Sequence, residues 1–210
     1  MAAWTMYNGV RLHWDSILLF KERSYSSSLA LSILAMEEIA KAHLLEDIVF
    51  HAHANEWDSE YCWQFIKDIF FSHRWKQASF AHHLFPFHER YKKGGTLRPN
   101  RFVELAQSGQ LERMKQDSFY VGLSRRSLKN SRIRGPHKIP RSKPLRMITL
   151  VNDYLLDLCV GHLLGYYALD SEYIMDTIKP KFVRQLETTW KFRGRKGKVA
   201  LRRFKLAAAG

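Results

Sequence analysis

Apolar residues recur at spacings of three and four along most of this chain, in runs long enough to be helices. Residues 4–23 set Tyr7, Val10, Trp14, Ile17 and Leu18 on one stripe and predict a first helix that packs through it. Tyr25 and the triplet Ser26, Ser27, Ser28 break that rhythm and offer capping hydroxyls for a second helix over 26–50. A third periodic segment covers 57–84 and stops before Pro86. Pro86, Gly94, Gly95 and Pro99 predict a loop over 86–100, followed by a shorter helix over 101–116 that Gly109 weakens. Phe119, Tyr120 and Val121 form an extended run, a short strand or an apolar anchor that supports no sheet. Residues 144–169 predict a long apolar helix with Leu150, Tyr154, Leu158, Cys159, Leu163 and Tyr167 toward the core. Short helices are expected over 171–177 and 181–190, on either side of Pro180. The expected fold class is all-α: one helical-bundle domain over 1–204.

The second helix carries charge on the wrong side. At about 100° per residue, Ser32, His43, Glu46 and Asp47 gather on what should be its solvent face. Glu38 falls among Leu31, Leu34, Ala42, Leu45 and Val49, with Glu37 and Lys41 flanking it, so these three charges point inward. Buried charges are costly unless paired and hydrogen-bonded, so partners must come from elsewhere. Glu38→Ala is therefore expected to destabilise the fold and Glu46→Ala to be nearly silent. The third segment supplies candidates, because Cys62, Ile66, Ile69, His73, Lys76 and Phe80 share a stripe opposite Glu60, Lys67, Asp68 and Ser72. Packed side by side, the two helices would set Glu37, Glu38 and Lys41 against His73 and Lys76. That constellation reads either as a site or as a satisfied ion network at a helix or subunit interface. Arg74 lies toward Trp63 and Phe70, where an arginine stacks or snorkels.

Charge adds a partner. The formal net charge is +14, and residues 121–149 hold nine Lys or Arg with no Asp or Glu among Gly135, Pro136, Pro140 and Pro144. A basic loop over 121–144 is expected to meet the phosphates of RNA through Arg125, Arg126, Lys129, Arg132, Arg134 and Lys138. A second acid-free run forms a basic tail over 191–204, suited to phosphates or to a disordered end, and residues 205–210 are read as a vector-derived appendage. With two cysteines and no secretory leader pattern the chain is expected in the cytoplasm, and its apolar tracts are too interrupted by charge to span a membrane. Gly-rich phosphate loops, GxGxxG and GxSxG are absent from the sequence, which removes support for nucleotide hydrolysis and serine-hydrolase chemistry. His51, His53, His82 and His83 lack a carboxylate or cysteine framework, so no metal or other cofactor is expected; His82 and His83 read as helix-end residues near the C-terminal dipole.

The runs LALSILAMEEIAKAHLL, FFSHRWK and KQDSFYVGL, in that order, resemble the AbiV family of abortive infection proteins, within the HEPN superfamily. The resemblance covers most of residues 7–170. It implies a helical bundle that dimerises, a role in defence against phage and, as in many relatives, a metal-independent ribonuclease site at the dimer interface. A phage-encoded activator is an implied partner. The EExxK part falls on Glu37, Glu38 and Lys41, and the HxxK part on His73 and Lys76. His73 would act as general base or acid, Lys76, Lys41 and Arg74 would stabilise the phosphorane, and Glu37 or Glu38 would orient them. The Arg-x(4–6)-His signature of HEPN ribonucleases fits poorly, since Gly135 and Pro136 separate Arg132 from His137, and Arg74 and His82 are one residue too far apart. The rival expectation is a non-enzymatic effector that inhibits by binding RNA, ribosomes or a phage protein.

Overall fold

A computed structural model describes residues 1–54, 58–84, 101–119, 139–164 and 179–208, together with the backbone of four short strands. The chain is all-α as expected. Helix α1 (Ala2–Lys21) turns through Arg23, at φ 62°, into α2 (Tyr25–His53), and the two pack as a hairpin. Gly9 permits the close approach: a Cβ there would come within 2.8 Å of the Ile39 side chain and 3.2 Å of the Ala35 carbonyl. The stripe on α1 is rotated from expectation, with Met6, Val10, His13, Ile17 and Phe20 buried while Tyr7 and Leu18 are exposed.

Helix α2 runs through the middle of the molecule and packs against α1, α3, α4, α6 and α7. Leu29, Ile33, Met36 and Ile39 are fully buried, each stabilising by roughly 1.5–3 kcal/mol. Its expected solvent face is wrong for the same reason, because Ser32, His43 and Glu46 are buried too. The side of α2 left partly open is instead that of Leu31, Leu34, Glu38 and Lys41, with Val49 and Phe50 exposed near its end. Glu46 therefore cannot serve as a surface control.

The third segment is two helices, α3 (Ser59–Phe71) and α4 (His73–Leu84), parted at Ser72 with φ −97° and ψ 99°. Asp58 caps α3 by accepting the Tyr61 N–H at 2.7 Å, and Ser72 Oγ accepts the Trp75 N–H at 3.2 Å. Strands β1 (Glu89–Tyr91) and β2 (Leu97–Pro99) pair antiparallel inside the expected loop. The expected helix over 101–116 is also divided, into α5 (Arg101–Gln107) and α6 (Gln110–Phe119), at Gly109 with φ 71°. Phe119 thus ends a helix, Tyr120 and Val121 lie outside the described residues, and a two-residue ladder just beyond joins β3 (Gly122–Leu123) to β4 (Ile133–Arg134). Helix α7 (Ser142–Leu163) begins inside the expected basic loop, at 142–144, and packs on α2 and α1. The expected helix over 171–177 lies outside the described residues. Helices α8 (Pro180–Thr189) and α9 (Arg195–Ala207) follow and pack on α7, so the run over 191–204 is a docked helix rather than a tail, continuing to Ala207. Both cysteines are free thiols, and no helix among the described residues is long and apolar enough to cross a membrane.

His13 sits on the α1–α7 contact with no exposure, its Nε2 3.2 Å from Asn152 Oδ1, while Nδ1 is buried without a partner. Burial lowers its pKa from 6.5 to about 4, against an opposing pull from the Asn152 hydrogen bond. The folded state therefore binds fewer protons here than the unfolded chain. Stability from this group is fully present above pH 6.5 and is lost as pH falls toward 4, by about 3 kcal/mol in all. Asp153, which burial raises to about 6, acts in the opposite direction, losing stability as pH rises through its folded value. A difference measurement isolates the histidine: His13→Gln, which keeps a donor for Asn152, is expected to narrow its stability deficit against the parent between pH 6.5 and 4.5 in urea unfolding. Parallel pH profiles for the two proteins would refute the assignment.

Candidate functional site

The inward charges of α2 gather their partners from α4 and α6. Glu37 is 2% exposed and stands at the centre. Its Oε1 accepts from Gln77 Nε2 at 2.7 Å and from Lys115 Nζ at 2.9 Å, and its Oε2 lies 2.8 Å from His73 Nδ1. Lys115 Nζ also reaches Glu37 Oε2 at 3.2 Å and Glu112 Oε2 at 2.8 Å. The two Glu37 oxygens lie in nearly the same direction from Nζ and share one N–H, and Nζ also approaches His73 Nδ1 at 3.2 Å. At 2.8 Å the Glu37 carboxylate oxygen offers only lone pairs, so His73 Nδ1 donates to it and the Nε2 lone pair is left for a ligand. The imidazole is 47% exposed and the carboxylate behind it is sealed.

Glu112 completes the cluster. Burial pushes its carboxyl up, but hydrogen bonds from Gln116 and Lys115 and the charges of Lys115 and His73 outweigh that and hold it below the usual range. Gln77 Nε2 lies 3.3 Å from Glu112 Oε2, while Gln77 Oε1 is buried without a partner. Glu37, His73 and Glu112 offer ligand atoms within 4.8 Å of one another, a spacing a divalent ion could use. Lys115 Nζ, within 2.9 Å of an oxygen from each carboxylate, already supplies the positive charge there. A metal would have to displace it.

Glu38 and Lys41 form the outer part, reversing their expected rank relative to Glu37. They pair at 2.7 Å, half-buried, and Asn8 Nδ2 on α1 donates to Glu38 Oε2 at 3.2 Å. Lys41 Nζ lies 5.2 Å from the centre of the Phe70 ring, at the end of α3. Lys76 is buried and donates to the Phe70 carbonyl at 3.2 Å; burial lowers its pKa, with the Glu37 charge opposing. Arg74 departs from expectation: it turns from Trp63 and Phe70 to donate to the Gln107 carbonyl at 2.7 Å, packed beside Gly109. With Asp68, Ser72, Trp75, Ala78 and Gln107 it lines a cavity of about 490 Å³.

The structure therefore brings together Glu37 and His73, sets Glu38 with Lys41 beside them, holds Lys76 beneath the end of α3 and leaves Arg74 facing α5. Gln77, Glu112 and Lys115 were missed. Lys115 opens the KQDSFYVGL run and stands three residues after Glu112, a spacing that signals an intrahelical pair. His82 and His83 stand in the last turn of α4, as expected, and the His83 ring centre lies 5.1 Å from that of His43. Of the expected RNA-binding residues, Arg134 occupies β4, paired with Gly122, while Arg125, Arg126, Lys129, Arg132 and Lys138 lie outside the described residues, as does His137.

A family model described as AbiV matches residues 2–148, the span that includes every member of this cluster. Curated proteins and solved structures return no match to the chain.

Proposed function

The chain belongs to the AbiV family of HEPN-type abortive infection proteins, and from that premise we propose that it defends the cell against phage as a homodimeric, metal-independent endoribonuclease. The observation that supports it most is the His73–Glu37 pair, a surface imidazole whose Nδ1 is held by a buried carboxylate that Lys115 and Gln77 fix in place. In this reading Nε2 of His73 takes the proton from a ribose 2′-hydroxyl as its oxygen attacks the adjacent phosphorus. The bond from phosphorus to the 5′-oxygen breaks, and that oxygen takes a proton from a general acid. The products are a 2′,3′-cyclic phosphate and a 5′-hydroxyl. A base and an acid are both required, and this cluster has one imidazole, so two copies facing each other supply the pair. The end of α3 beside the cluster leaves Phe70 and Phe71 exposed, apolar area suited to such a contact. The basic segment over 121–144 would hold the RNA, and a phage-encoded protein would release the activity.

The test uses the protein purified from phage-infected cells, so that the releasing phage protein has acted, with total bacterial RNA in excess chelator. Cleavage with 2′,3′-cyclic phosphate ends is expected. Products with 3′-hydroxyl ends, or activity that chelation removes, would refute the mechanism.

A second reading has its own support. Lys115 Nζ is held between the Glu37 and Glu112 carboxylates and Lys76 is buried, which describes an ion network built for stability. In that case the protein acts by binding RNA or a phage protein and cleaves nothing.

A further inference from the structure

We propose that α8 and α9 form a docking surface for the sugar–phosphate backbone of single-stranded RNA, separate from the Glu37–His73 cluster. These helices follow the span that matches the family model and pack on α7, with Phe182 also against Trp14 of α1. Residues 179–208 contain eleven Lys or Arg and one acid, Glu187, a formal +10 of the chain's +14. The segment is nonetheless built into the fold. Asp153 on α7 accepts the Gly194 N–H at 2.8 Å at the start of α9. A Cβ at residue 194 would stand 2.6 Å from Asp153 Oδ2, and one at 197 would collide with Oδ1, so both positions need glycine. Gly197, Ala200 and Leu201 are buried and Phe204 half-buried on that side.

Docking fixes which side of α9 faces out. Arg195, Lys198 and Arg202 are exposed and follow one line along the helix, spanning about 10 Å. Lys181, Arg184 and Lys191 add exposed cations from α8 and the connection. A basic amphipathic helix also suits an acidic membrane, but membrane binding needs a free apolar face, and here that face is already used against α7. Phe192 argues for a single strand: it is 47% exposed among these cations, its ring centre 5.2 Å from that of Trp190, which is buried. An exposed ring within a cationic surface is what unpaired bases stack on. None of this depends on cleavage, so the surface stands or falls apart from the catalytic reading.

The experiment follows binding of a fluorescent 20-nucleotide oligouridylate to the full chain at 50–300 mM salt. For Arg195→Gln/Lys198→Gln/Arg202→Gln, the dependence of log affinity on log salt is expected to become shallower by about 0.7 for each phosphate left without its cation, roughly 2 in all. Affinity at low salt should fall at least tenfold with the melting temperature unchanged, and Phe192→Ala should weaken oligouridylate binding by about tenfold. A folded triple variant with parental slope and affinity overturns the proposal. So does binding of phosphatidylserine vesicles, but not oligouridylate, by the parent. Should the triple variant melt early, Lys198→Gln and Arg202→Gln are read singly, each expected to remove its own step of slope, and unchanged slopes again overturn it.

Discussion

His73→Ala is expected to give a folded dimer that neither cleaves RNA nor protects cells from phage. Half of this side chain is already in solvent, and its removal leaves Glu37 held by Lys115 and Gln77, so the melting temperature should stay close to that of the parent. The chemistry has no such reserve. Loss of a positioned acid or base costs about 10² to 10⁴ in rate, which at an equal melting temperature cannot be mistaken for a stability effect. Oligomeric state, melting temperature, RNA cleavage and phage plating should be measured on one preparation. If the folded variant still cleaves and protects, His73 is not the base, and the ion-network reading takes over.

Glu37→Ala should have the largest effect on the fold. The substitution strips the central acceptor from two buried groups, leaving the Lys115 ammonium with Glu112 and the Gln77 amide with one long contact to the same residue. Breaking a buried pair from one side costs about 3–5 kcal/mol, which for a chain of this length lowers the melting temperature by roughly 10 °C. Glu38→Ala is the comparison. Its pair with Lys41 is less enclosed, the two side chains being 18% and 12% exposed against 3% and 4% for Glu37 and Lys115, so that loss should be smaller, about 1–2 kcal/mol. Replacing both members, as Glu37→Leu/Lys115→Met, removes the uncompensated charge and should recover part of the stability. Coincident melts for Glu37→Ala and Glu38→Ala would show that Glu37 is not the buried centre.

The charged stretch of α2 was legible because carboxylates inside an apolar helix demand an explanation, and the partner helix was legible because His73 and Lys76 break its apolar stripe. The rotation of α2 was not. Angular projection takes the more polar side as the wet one, but α2 packs against five helices and its partly open side is that of Leu31, Leu34, Glu38 and Lys41, so Ser32, His43 and Glu46 looked exposed and Glu38 was given the place of Glu37. The break at Ser72 involves neither Pro nor Gly, only a serine that caps the next turn. Lys115 escaped notice because α6 is mostly polar, and there a buried lysine looks like any surface one. Gly194 and Gly197 lie in a run whose sequence speaks only of charge, yet each sits where Asp153 approaches the backbone closely. Such close approaches join residues far apart in sequence, and local pattern carries no trace of them.

The distances along the chain that separate the cluster's members also set an order in time. α1 and α2 are neighbours joined by a three-residue turn, so their hairpin closes a short loop and can form early. Glu37 instead waits for His73, 36 residues on, and for Lys115, 78 residues on. Contacts of that span are slow to close. A chain leaving the ribosome would therefore hold its hairpin, with Glu37 still open to water, well before α6 arrives to seal it, and any activity the cluster has would begin only with the last of its parts.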